Sequence, residues 1–116
     1  MHQPSFFAKQ DKAQSVAAEQ MVLRALGDFQ ARGKVLAERE LPLDRLRGAL
    51  RRAAEAFDVE EMTDEQAATA LISLGASVRQ VPSFVAKHPY RVTVQTELAE
   101  RGRLAYQESL SHAAPR

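Results

Sequence analysis

Apolar residues first recur at helical spacing between Val16 and Arg32. There Ala18, Val22, Ala25, Leu26 and Phe29 share one stripe at about 100° per residue, and Gly33 supplies a stop. Upstream, Met1 to Gln14 is polar apart from Phe6 and Phe7 and reads as an arm or a short first helix. A second stripe follows Pro42, which suits a first helical turn: Leu43, Leu46, Leu50, Ala53 and Phe57. Arg45 and Arg52 flank it on one side and Arg47 and Arg51 on the other, where their stems can cover apolar surface while the guanidinium groups stay wet. After the acidic connector Asp58 to Met62, Thr63 and Gln66 match a capping box, and Asp64 and Glu65 favour the positive end of the helix dipole. Ala67, Ala70, Leu71 and Leu74 form the buried face of this third helix, and Gly75 ends it.

Beyond Gly75 the period changes from helical to alternating. Val78 and Val81 lie in one short run, and Tyr90, Val92 and Val94 alternate with Arg91 and Thr93, the pattern of two half-buried strands. Pro82 and Pro89 bracket the loop between them. Thr96 can cap a last helix carrying Leu98, Ala105, Tyr106 and Leu110 inward. The expected fold is mainly α with a small two-stranded antiparallel ribbon, arranged as one domain over residues 15–110, an arm over 1–14 and a polar tail over 111–116. Its expected core holds Val22, Leu26, Phe29, Leu46, Leu50, Phe57, Leu71, Leu74, Val78, Val92 and Leu98.

Two motifs then match a known pattern. Leu74-Gly75 followed by Val78-Arg79, and Tyr90-Arg91-Val92-Thr93-Val94 leading into Leu98-Ala99-Glu100-Arg101-Gly102-Arg103, resemble the recognition-helix end, wing and closing helix of bacterial winged-helix regulators of the MarR and PadR types. The match covers about half the chain directly, and the first two helices complete it by order and spacing. The resemblance implies a winged helix-turn-helix-like fold, binding to double-stranded DNA and a role in transcription regulation.

Charge modifies that implication. The chain has 116 residues and a net charge of +1, so there is no global attraction to nucleic acid and any footprint must be local. The third helix presents Asp64, Glu65, Gln66, Thr69 and Ser73, with Asp58, Glu60 and Glu61 just before it. A carboxylate about 7 Å from a phosphate, at an effective dielectric of about 40, is repelled by roughly 1 kcal/mol before screening. Conventional docking of this helix in a major groove is disfavoured. The wing differs: Arg79, Lys87, His88 and Arg91 cluster without an intervening acid and can meet phosphates or a minor groove. The same charges equally suit the protection of an edge strand.

The primary expectation is therefore a small DNA-binding protein that uses its wing. The alternative is a non-enzymatic protein-interaction module in which Asp58, Glu60, Glu61, Asp64 and Glu65 grip a basic protein partner. Phe6 and Phe7 at one end and Tyr106 and Leu110 at the other are apolar groups beyond what a small core needs, so a homodimer through the end helices is expected.

No catalytic chemistry is expected. His2, His88 and His112 stand in separate segments, Ser77 and Ser83 lack a nucleophile setting, and the acidic run lacks the glycine and alternating oxygens of a calcium loop. With no cysteine there is no disulfide or thiolate metal site, and no cofactor or metal is expected. No apolar run approaches the roughly 20 residues of a membrane span, and the first twelve residues make no signal peptide, so a cytoplasmic location without membrane contact is expected.

Overall fold

The computed structural model describes residues 5–82, 84 and 89–113, with side chains described from residue 16 to residue 111 within those ranges. Helix α1 spans Ser5–Ala31, strand β1 Leu41–Pro42, helix α2 Arg47–Phe57, helix α3 Asp64–Leu74, strand β2 Ser77–Gln80, strand β3 Tyr90–Thr93 and helix α4 Thr96–Ala113. A 3-10 turn, Leu43–Leu46, leads into α2. The fold is mainly helical with a small three-stranded antiparallel sheet, an order compatible with a winged helix.

Local chemistry explains the element that was most legible. The Thr63 hydroxyl accepts from the Gln66 N–H at 3.1 Å and the Gln66 side chain accepts from the Thr63 N–H at 2.8 Å, closing both sides of a capping box. Gly75, at φ 107°, ends α3 in the left-handed region that only glycine enters without a Cβ penalty.

Several expectations need correction. The ribbon has a third strand: Leu41 pairs with Val92 and Pro42 with Arg91, giving the sheet order β1-β3-β2. Two residues are too short for an alternating pattern, and Pro42 is tolerated because β1 is an edge. Pro42 is consequently extended (φ −67°, ψ 141°), and a 3-10 turn separates it from α2. Thr96 is the first helical residue of α4 and does not cap it. Its N–H and hydroxyl instead donate to the Glu38 carboxylate at 2.8 and 3.1 Å, so a loop far away in sequence satisfies the helix end.

The β2–β3 hairpin forms as expected, with Val78 opposite Val92 and Arg79 opposite Arg91. The Val81 N–H donates to the Pro89 carbonyl at 2.7 Å where the strands part. The core joins all helices to the inner sheet face: Val22, Leu26, Leu43, Leu46, Leu50, Leu71, Val92, Val94 and Leu98 are buried, together with Leu36 and Leu41 from segments whose pattern is too short to read. Leu74 and Val78 are only partly buried. Phe57 is 40% exposed. It is the last residue of α2, and Asp58 turns the chain away through a left-handed conformation (φ 59°) before any partner can cover the ring.

The broadest helix contact is α1 on α4. It is close because glycines face each other: a methyl group on Gly27 would lie 2.3 Å from the Gly102 carbonyl oxygen and 2.3 Å from Tyr106 Cβ. The Arg24 guanidinium stands 5.6 Å from the Tyr106 ring centre. Tyr106 therefore belongs largely to this intramolecular contact, which corrects the expectation that it is left over, whereas Leu110 is 45% exposed.

Candidate nucleic-acid interface

The hairpin positions the described part of the basic cluster. Antiparallel pairing puts Arg79 on β2 directly opposite Arg91 on β3, so two guanidinium groups start from one rung of the ladder. Like charges on one rung repel, and a carboxylate from outside the hairpin offsets this. Arg79 grips Glu40 with both arms of its fork, Nε to Oε2 at 2.7 Å and Nη2 to Oε1 at 3.1 Å. The Arg79 hydrogen bond, with Arg91 acting through space, holds the Glu40 carboxyl below the usual carboxylate range. The wing has no intervening acid in sequence, but folding brings one to it in space, because Glu40 stands in the loop just before β1. The pair is exposed, the side chains 61% and 43% open, so it adds little stability in water. Phe84, between the strands, is 88% exposed and does not pack against the body. Lys87 and His88 lie outside the described residues, as do Ser83, His2 and the side chains of Phe6, Phe7 and His112.

The acidic segment is also altered by its neighbours. Arg47, at the start of α2, donates to the Met62 carbonyl at 2.8 Å and to Glu61 at 3.0 Å, and it bridges Asp64 as well. Arg51 stands 3.8 Å from Glu61. These arginines clamp the connector onto α2 and remove much of the field at the leading end of α3. The reading of the α2 arginines as a merely solvated edge is corrected for Arg47 in the same way. Of the five candidate acids, Asp58, Glu60 and Glu65 make no ion pair among the described residues, and all three are exposed. Those three do not converge on a metal: no group of three or more histidine or acidic side chains with metal-binding geometry occurs among the described residues.

One charged residue escaped the sequence reading. Asp28 on α1 is 5% exposed and accepts from Arg52 Nε at 2.7 Å and from Arg32 Nε at 2.8 Å. Burial raises its pKa, but the hydrogen bonds and charges of Arg52 and Arg32 outweigh that and leave the carboxyl below its ordinary value. Arg52 is thereby committed to tying α2 onto α1. The only signal in the sequence was an acid inside the Leu26–Phe29 stripe with an arginine four residues on.

No helix among the described residues is long and apolar enough to cross a membrane. Comparison with known proteins returned no matching family model, no matching curated protein and no matching solved structure.

Proposed function

We propose that this protein binds double-stranded DNA through its β2–β3 wing and acts as a small transcription-associated regulator. The observation that carries the reading is the Arg79–Arg91 rung, two arginines fixed opposite each other on an exposed hairpin of a fold compatible with a winged helix. Phosphates are the natural ligand of paired guanidinium forks, and such contacts confer affinity without sequence preference. The Arg47 clamp supports the same reading, since it lowers the repulsion that Glu61 and Asp64 would otherwise exert on a duplex.

Fluorescence anisotropy with a random labelled duplex at about 50 mM salt tests it, because electrostatic association is strong there. Lys87→Ala with Arg91→Ala should weaken binding across sequences and lower the magnitude of the salt slope by about two. Asp64→Asn with Glu65→Gln should hold or strengthen binding, since it removes two negative charges and releases Arg47 from one partner. Absence of duplex binding by the unmodified protein overturns the proposal. A second reading, capture of a basic protein, is favoured by the three exposed acids Asp58, Glu60 and Glu65; in that case the amide pair abolishes partner capture and the wing pair leaves it intact.

A further inference from the structure

A groove of about 830 Å³ runs between α1 and the segment from Val59 through α3. Its floor is apolar, built from the buried Met21, Met62 and Ala70, and Val59 on its rim is 52% exposed. Its walls are held in place from behind. The Met62 carbonyl accepts from Arg47 at 2.8 Å, the Val59 N–H donates to the Ala54 carbonyl at 3.0 Å, and the Ser73 hydroxyl ties α3 to α1 by donating to Glu19. A preformed groove spares its ligand much of the cost of ordering the site.

Four carboxylates line the groove and no lysine or arginine does, among the described residues, although the chain as a whole is slightly basic. Glu61 is engaged by Arg47 and Arg51, but Glu19, Glu60 and Glu65 make no ion pair among the described residues. Three uncompensated negative charges around an apolar floor attract a cationic amphiphile and repel a phosphate backbone.

The conformation of such a ligand follows from what the groove lacks. None of the residues lining it belongs to a strand, so an extended chain laid there would find no ladder to join and would turn unpaired backbone groups toward an apolar floor. A helix satisfies those groups internally and presents its anchors on one face, at i, i+3, i+4 and i+7.

We infer that this groove docks an amphipathic helix of a partner protein, with bulky apolar residues toward Met21, Met62 and Ala70 and lysines or arginines toward Glu19, Glu60 and Glu65. The inference deepens the second reading above, capture of a basic protein, and rests on it; it is independent of DNA contact through the wing. Asp58, one of the acids of that reading, does not line the groove, and Glu19 takes its place.

Fluorescence anisotropy of the full-length protein tests it with labelled synthetic helical peptides of leucine, alanine and lysine. In the first peptide the leucines stand at i, i+3, i+4 and i+7 with lysines on both flanks; the second has the same composition with the leucines spread around the helix; the third is the first with glutamate in place of lysine. The first should bind in about the micromolar range at about 50 mM salt, the second about tenfold more weakly, and the third not measurably. Glu60→Lys with Glu65→Lys, both exposed, should weaken the first by about tenfold or more. Glu55→Lys with Glu108→Lys makes the same charge change at exposed sites on α2 and α4 and should alter it less than about twofold. Thr69→Trp, at an exposed site on the groove wall, should block docking while leaving the melting temperature near that of the parent, and it carries the test if the Glu60 and Glu65 variant unfolds. Equal binding of the first two peptides, still lost on reversal of Glu60 and Glu65, keeps capture of a basic protein but overturns docking of a helix in the groove. Binding of neither overturns both. Unchanged binding by Thr69→Trp also overturns the inference, as does a parent found dimeric by sedimentation that Thr69→Trp renders monomeric, since a second copy of the chain then fills the groove.

Discussion

Replacing Gly27 with alanine sets helix propensity against packing. In an open helix interior the change stabilises by up to about 1 kcal/mol. Here the new methyl carbon would lie 2.3 Å from both the Gly102 carbonyl oxygen and Tyr106 Cβ, about 1 Å inside ordinary contact, and both obstacles are backbone or rigidly attached to it. α1 and α4 must therefore separate along their broadest contact, and overpacking of this kind costs about 1–3 kcal/mol, occasionally more. With the clash at the severe end of that range, the net loss should be about 2 kcal/mol. For a domain of this size that lowers the melting temperature by roughly 6–12 °C. Gly102→Ala meets Leu26 Cβ at 2.8 Å and the Leu23 carbonyl oxygen at 3.1 Å, a milder clash, and should cost less. Gly48→Ala on α2 meets only the flexible end of Arg52 at 3.5 Å and should be neutral or stabilising. Thermal and urea unfolding followed by far-ultraviolet circular dichroism measure all three. If Gly27→Ala proves as stable as Gly48→Ala, the close α1–α4 crossing is wrong.

Two further outcomes concern the core. Leu50→Ala, at a position 1% exposed beneath α1, should cost roughly 2–5 kcal/mol in urea denaturation; a loss under about 1 kcal/mol would contradict its burial. Asp28 has a folded-state pKa below its unfolded value, so its contribution to stability is complete above about pH 4 and is lost as pH falls through the depressed folded value. Asp28→Asn should cost about 1–3 kcal/mol at pH 7, discounted because Arg52 and Arg32 remain 39% and 54% exposed, and should flatten the acid limb of the stability curve below pH 4. An unchanged acid limb would show that other carboxylates carry it.

What the sequence determined by itself were the features whose causes are local. The capping box of Thr63 and Gln66, the stop at Gly75, the apolar stripes of the three leading helices and the alternation from Tyr90 to Val94 all depend on neighbours within a few residues, so they can be read without knowing the fold. The basic character of the wing was legible for the same reason. What only the tertiary structure decided were the partners. Strand β1 exists because β3 lies beside it, since a two-residue strand has no pattern of its own. Glu40 reaches Arg79 across thirty-nine positions, Glu38 caps α4 across fifty-eight, and Arg52 finds Asp28 across twenty-four. Gly27 and Gly102 look like ordinary helix-weakening residues until their helices cross. Charge and size are fixed by composition, but whether a carboxylate repels a ligand, clamps a helix or lies buried depends on which cation the folded chain brings within about 3 Å of it.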